Sequence, residues 1–260
     1  MVRRTLTLLA ALAAVTARVV AQAATCSAPD AAARLDHAIV VVRDIDAAAG
    51  RFAPLGFRFK LGRLHADSLL NRHIKFRDGT GLEFMTLAGR PTSRMAREYR
   101  ELLDAREGGV YAALWTTDIE RARTAAARLG SPRLTQLGAW QFLSVPSAPE
   151  THAIFFGAGG YPANDPDSVV AHPNGAQRLA AAWIEGGPTL ERLLGSLGSH
   201  ACGNYRLPDG RVGVRWALAG GSLVVIPDSG RRLVGVEIER AQSGAASLSE
   251  PLRGFWVLLR

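Results

Sequence analysis

The sequence predicts an α+β protein in which repeated βαβββ modules form curved mixed sheets. Three observations carry this expectation. Between Leu35 and Leu87 an apolar β-type run is followed by a helix pattern and then by three further short runs. The strand-plus-helix opening of that stretch returns without a gap: Asp44-Ile45-Asp46 and Asp118-Ile119-Glu120 lie 74 residues apart, as do Leu55-Gly56 and Leu129-Gly130. A third, looser copy begins at Arg178.

The first module opens with Leu35-Asp36-His37-Ala38-Ile39-Val40-Val41-Val42, whose length and β-branched content suit a buried strand. Asp44 can cap the helix that follows, Ala47, Ala48, Ala49 and Phe52 fill it, and Leu55-Gly56 ends it. Strands are expected at Phe57–Leu61, Arg72–Phe76 and Gly81–Leu87, the last two joined by the turn Arg77-Asp78-Gly79-Thr80. In such a unit the first and fourth strands lie side by side at the centre of a curved sheet. His37 on one and Glu83 on the other would then converge, giving an imidazole and a carboxylate on rigid elements, as a metal site requires. A hydrogen-bonded His and an edge-exposed Glu are the plainer alternative, and spacing alone leaves the choice open.

Ser93 to Arg106 has helical spacing and links the first module to the second. The second module has a strand at Gly109–Thr116, a helix from Asp118 to Leu129-Gly130, and strands at Trp140–Val145 and His152–Phe156. At the 74-residue offset the position of His37 is taken by Tyr111, and the strand matching that of Glu83 carries no carboxylate; the direction of His152 is undecided. After a Gly/Pro/Asn/Asp loop at 157–167 comes His172-Pro173-Asn174-Gly175, where Pro173 holds His172 extended and Gly175 permits a tight turn, so that the imidazole is aimed. The third copy has a strand at Leu179–Ile184, a helix from Pro188 to Leu197-Gly198, and strands at Val212–Leu218, Leu223–Ile226 and Leu233–Ile238. There Val236-Glu237-Ile238 aligns with Leu82-Glu83-Phe84, so Glu237 either faces a similar hollow or is a solvated edge carboxylate. The expected organisation is a targeting segment at 1–23, paired modules at 34–165, a third module at 170–240 and a C-terminal segment at 241–260.

At 260 residues with 48% hydrophobic and 21% charged content, the chain can build a sizeable core. A net charge of +8 invites a nucleic-acid reading. It fails because the arginines are spread along the chain, Lys60 and Lys75 are the only lysines, and no basic run is interleaved with aromatics. Arg3 and Arg4, the apolar run Leu6–Val15 and Ala21-Gln22-Ala23 read as a cleavable export signal, too short for a permanent membrane span. Removing it takes away three arginines and no acid, so the charge falls from +8 to +5. Cys26 and Cys202 are the two cysteines; an exported protein can bridge them, whereas Ala23-Ala24-Thr25-Cys26 faintly resembles a lipoprotein site that would acylate Cys26. The apolar end Pro251–Leu259 is expected to pack onto the sheets or into a partner subunit as a homodimer.

Leu35-Asp36-His37, Val42-Arg43-Asp44-Ile45-Asp46-Ala47-Ala48, Gly56-Phe57, His65, Asn71 and Leu82-Glu83 together resemble the opening module of glyoxalase-like proteins of the vicinal oxygen chelate superfamily. The resemblance implies a cup made of paired βαβββ modules (the glyoxalase/bleomycin-resistance/dihydroxybiphenyl dioxygenase-like fold) and a divalent metal cation held by His37 and Glu83, with His172, Glu237 or water completing its ligands. A ligand carboxylate, Glu83, or His172 would move the proton, and His65, Asn71, Tyr111 and Asn174 would contact the small-molecule substrate. The implied reactions are of lyase, isomerase or dioxygenase type on vicinal oxygens. The absence of a second ligand pair weakens the usual glyoxalase assignment. The alternative is a metal-free binding protein whose cup is lined by Tyr111, Trp115, Phe155, Trp183 and Trp216. No nucleotide-binding loop, dinucleotide fingerprint or serine elbow is present.

Overall fold

The computed structural model describes residues 26–160, 165–228, 232–242 and 244–260; the expected targeting segment lies outside them. The first module consists of β1 (Arg34–Val41), α1 (Ile45–Phe52), β2 (Lys60–Leu64), β3 (Leu69–Lys75) and β4 (Gly81–Leu87). A linker helix α2 (Arg94–Ala105) leads to β5 (Gly108–Trp115), α3 (Ile119–Ala127), β6 (Arg133–Leu137), β7 (Trp140–Ser144) and β8 (Ile154–Gly159). A short turn of helix, α4 (Asp167–Val170), precedes β9 (Ala176–Gly186), α5 (Pro188–Ser196), β10 (Ala201–Arg206), β11 (Val212–Ala217) and β12 (Ser222–Pro227). Three last strands follow, β13 (Leu233–Arg240), β14 (Ser247–Leu252) and β15 (Phe255–Leu259). The helices of the first two modules are capped as expected: Asp44 accepts from the amides of Asp46 and Ala47 at 2.9 Å each, and Asp118 from that of Arg121 at 2.9 Å.

The strands make two mixed sheets, one of eight in the order β2-β3-β4-β1-β5-β8-β7-β6 and one of seven in the order β10-β11-β12-β9-β13-β15-β14. In the first sheet β1 runs parallel to β4 and antiparallel to β5. The sequence repeat is a structural dyad. Ala38 pairs with Ala112, its own counterpart 74 residues on, while His37↔Ala113 and Ile39↔Tyr111 exchange under the same shift. One face of each sheet joins a shared core with α1, α3 and α5, including Leu35, Phe52, Leu82, Phe84, Leu114, Ile184, Leu223 and Val236. The other face of the first sheet is a hollow. Its inner end is filled by Ala96, Tyr99 and Leu103 of α2, packed on Ile39, Val41, Leu69, Met85 and Val110.

The structure revises the C-terminal third. The strand Leu233–Arg240 does not close the third unit; β12 does, running parallel to β9 as β4 runs beside β1. β13 instead lies antiparallel to β9 and opens a fourth unit without a helix, completed by β14 and β15, so the boundary expected at 240 falls inside that unit. The apolar terminus therefore pairs within its own chain. β2 begins at Lys60, not Phe57, because Phe57 and Phe59 are drawn under the sheet against the ring of Phe52. Cys26 and Cys202 form a disulfide with a Cα–Cα distance of 5.7 Å, tying the N-terminal end of the described chain to β10.

Candidate functional site

Paired residues on neighbouring strands point to one face, so the registers define the floor of the first hollow. Lys75, Gly81, His37, Ala113 and Phe155 form one row across β3, β4, β1, β5 and β8. His73, Glu83, Ile39 and Tyr111 form the next. His37 and Glu83 thus converge: Nε2 of His37 lies 3.3 Å from Oε2 of Glu83. Asn71 donates from Nδ2 to the other carboxylate oxygen at 2.8 Å, while its own Oδ1 accepts from the Arg63 amide at 2.9 Å. The second nitrogen of His37, Nδ1, is 2.6 Å from Oδ2 of Asp36. In a regular strand Asp36 would face away from its neighbour. A register shift between Leu35 and His37 inserts one extra residue in β1 and turns both side chains to the hollow.

Two carboxylates flanking one imidazole fix its charge. Burial alone would lower the pKa of His37, but the hydrogen bonds and charges of Asp36 and Glu83 prevail and raise it to about 9. Burial would raise that of Glu83, and the contact with His37 instead lowers it to about 2. His73, directly opposite Glu83 with Nε2 3.9 Å from its Oε1, behaves in the reverse sense: burial, with Lys75, His37 and Lys60, outweighs Glu83 and lowers its pKa to about 4. The far half of the hollow is aromatic. Phe155 meets the rings of His37, Tyr111 and Phe142 edge-on at 6.2, 6.0 and 5.9 Å, and Tyr111 meets Tyr99 of α2 at 6.2 Å.

The family described as the glyoxalase-like domain matches residues 35–197, more than half of the chain. This chain belongs to the glyoxalase-like domain family. Solved structures agree on the fold of the vicinal oxygen chelate superfamily. A hypothetical protein from Staphylococcus aureus superposes with a TM-score of 0.61 at 13% identity, covering 88% of this chain and 99% of its own. An extradiol ring-cleaving dioxygenase from Brevibacterium fuscum gives 0.58 at 11% identity over 91% and 73%. The homoprotocatechuate 2,3-dioxygenase of Arthrobacter globiformis gives 0.54 at 10% identity over 91% and 82%. A search of the curated proteins finds no match.

Of the residues that the resemblance placed around one metal, the glyoxalase-like cup gathers His37, Glu83, Asn71 and Tyr111. The others lie elsewhere. Glu237 is 1% exposed in the second sheet, where Trp183 Nε1–H donates to it at 3.0 Å, Arg215 holds the same oxygen and Arg260 Nε stands 3.4 Å from the other. It belongs to β13, the first strand of its unit rather than the fourth. His172 is a pin between modules: Nδ1 accepts from the Arg58 amide at 3.0 Å and Nε2–H donates to the Lys75 carbonyl at 2.9 Å, with Phe57 and Phe76 edge-on at 5.7 and 5.4 Å. Asn174 donates to the Leu55 carbonyl at 2.8 Å and accepts from the Ala176 amide at 3.0 Å. Its Cβ would lie 2.9 Å from a side chain at Gly56, whose φ of 82° also favours glycine. His65 sits at the turn of the β2–β3 hairpin, its amide on the Leu69 carbonyl at 2.7 Å. His152 is bonded to the Pro146 carbonyl at 3.0 Å.

The donor set decides how far a metal centre of the superfamily's kind fits. Under the dyad the counterparts of His37 and Glu83 are Tyr111 and Phe155, since Ile39↔Glu83 maps onto Ala113↔Phe155. Two donors face two aromatic rings. Among the described residues no group of three or more His, Cys, Asp or Glu side chains is spaced to hold a metal ion. The residues present therefore do not complete that centre. Asp36 and His73 were not singled out from the sequence. His73 could have been found by parity, two positions from Asn71 on the same strand face; Asp36 could not, because the bulge that turns it breaks alternation.

Proposed function

We propose that this glyoxalase-like protein is exported and binds a small, partly aromatic molecule in its first cup, without a metal centre. The observation that carries the reading is the division of the cup by the dyad, with the charged set Asp36, His37 and Glu83 on one side and Tyr111, Phe155 and Phe142 on the other. A pocket with an apolar wall and a few convergent polar groups is the usual form of a small-molecule site. The charge states agree with binding more than with proton transfer. Near neutral pH, His37 at about 9 and Glu83 at about 2 are both charged and committed to each other, whereas a general acid or base works best near the operating pH. Export is supported by the N-terminal pattern and by the Cys26–Cys202 bridge, which suits an oxidising compartment.

A metal-dependent enzyme acting on vicinal oxygens is the rival. One observation favours it: the 3.3 Å between His37 Nε2 and Glu83 Oε2 is close to the roughly 3.4 Å between two ligands of a tetrahedral ion with ~2.1 Å bonds. Elemental analysis of the purified protein separates the two. A stoichiometric divalent ion that is lost in His37→Ala and Glu83→Ala would replace the binding reading by the enzymatic one. A metal-free protein of normal stability, with ligand-induced shifts in the signals of Tyr111 and Phe155, is the expected result.

A further inference from the structure

We infer that β6 is an interaction surface for a second copy of this chain, which adds its own β6 antiparallel about a two-fold axis at Thr135 and joins the two first sheets edge to edge. The inference is independent of what the cup binds. It starts from a comparison of the four strands that end the two sheets, β2, β6, β10 and β14. An end strand presents a row of unpaired N–H and C=O groups, and chains that stay apart blunt it with bulges, charges or proline. β2 exposes Leu61 and Leu64, but it carries Lys60, Arg63 and a break in register between the two leucines. β10 is broken between Ala201 and Gly203, where Cys202 bridges to Cys26. β14 is broken between Ser249 and Leu252, across Glu250 and Pro251.

β6 has no such break. Arg133 through Leu137 pair residue for residue with Ser144 through Trp140 of β7, and among the described residues their backbone makes no other hydrogen bond. All but Arg133 are exposed, Leu134 at 40% and Leu137 at 51%. The one charge of the strand, Arg133, is 3.6 Å from Glu98 of α2. On a chain of net charge +8, this flat and nearly neutral edge is a side where like-charge repulsion does not oppose association.

The strand's own sequence selects the occupant. Self-pairing centred on Thr135 engages all five residues, and every other centre leaves at least one out. Thr135 then faces its own counterpart, a favourable cross-strand pair, and each Leu134 stands diagonal to the other. Each Arg133 faces a Leu137, and the two arginines are about 14 Å apart along the strands, beyond the ~10 Å screening length at 0.1 M salt. A second β6 also covers two open edges at once and closes the assembly. Pairing β6 with the β2 of another copy would be head-to-tail and open-ended, and the bulge and cations of β2 oppose it.

The test is sedimentation velocity of the intact, disulfide-bonded protein at pH 7. The mass is expected to rise from that of one chain toward that of two between about 5 and 500 μM, the weak range that suits a small interface. Thr135→Lys and Thr135→Glu, made at an exposed position, each set two like charges against one another across the axis and should weaken association by about fivefold or more. An equimolar mixture of the two variants should recover the native affinity to within about twofold, because the axis then holds an opposite pair. A chain that stays single throughout the range would overturn the second copy as the occupant of β6. Association that neither variant weakens, or that both weaken and the mixture does not recover, would overturn the two-fold pairing at Thr135.

Discussion

Glu83→Gln removes one charge from the cup and almost no volume, so it tests the electrostatics of the site directly. In the native protein Glu83 supplies a hydrogen bond and a negative charge to His37, and Asp36 supplies another of each. The amide can still accept from Asn71, so the local packing is preserved. The pKa of His37 should therefore fall from about 9 toward its ordinary 6.5 without the ring moving. Breaking a buried ion pair from one side costs about 3–5 kcal/mol. Here the side chains are 22% and 16% exposed, and solvent screening brings the expected loss to about 1–3 kcal/mol. An NMR titration of the His37 ring protons measures the first quantity, and urea unfolding of both proteins at pH 6 the second. A native His37 that titrates near 6.5, or one that titrates unchanged in the variant, would refute the ion-pair account of the site.

Three further outcomes are expected. Stability should peak near pH 6–7. The folded pKa of His37 is raised, so its contribution is present below 6.5 and lost as pH rises through about 9; that of His73 is lowered, so its contribution is lost as pH falls from 6.5 to about 4. Glu83 adds a second acid-side loss as pH falls from 4.5 to about 2, and urea midpoints across pH 2–9 measure all three. Phe52→Ala should cost about 3–5 kcal/mol by unfolding titration, because the ring is fully buried against Phe57, Phe59 and Phe84; a loss below 1 kcal/mol would contradict the core described for α1. Replacing both Cys26 and Cys202 by Ser opens a link across 176 residues and should lower stability by about 3–5 kcal/mol, measured against the oxidised protein under the same conditions.

The first two modules were legible because their signals are local. Asp44 and Asp118 cap helices wherever those helices pack, and an offset of 74 residues implies a dyad that the register of β1 with β5 reproduces. Alternation along β1 and β4 left the convergence of His37 and Glu83 open, and the resemblance supplied the expectation that they share one face. What the sequence does not contain is the identity of distant partners. His172 was expected to be aimed at the site, since Pro173 and Gly175 fix its backbone, but both of its ring nitrogens are taken by backbone groups of the first module: the Arg58 amide and the Lys75 carbonyl. Glu237 was assigned to a fourth strand because βαβββ units were counted by their helices, and the last unit has none. β14 escaped notice because 242–250 is small and polar; it pairs as an edge to β15 without an apolar alternation of its own.

The two sheets share a plan and differ in how their outer faces are occupied, which bears on where function resides. In the first sheet α2 covers only the inner end, leaving His37, His73 and Glu83 partly open, with side-chain exposures of 22%, 25% and 16%. In the second, Trp183, Arg215, Ser222 and Glu237 knit together, with Arg215 also stacked 4.5 Å over the ring of Tyr205. Glu185 is likewise enclosed by Arg211 and Arg232. Each of these acids is engaged by arginines or an indole of its own chain and is at most 1% exposed, which leaves no route by which a ligand would arrive. Buried ionic networks of this kind cost desolvation and are tolerated when every member is paired. A duplicated fold therefore has one sheet whose polar groups are closed upon themselves and one whose polar groups still face a hollow. Ligand-dependent behaviour should follow changes at His37, Glu83 and Phe155, whereas Glu237→Gln should alter stability and leave ligand affinity unchanged; a loss of affinity in that variant without a loss of stability would reverse the assignment of the two sheets.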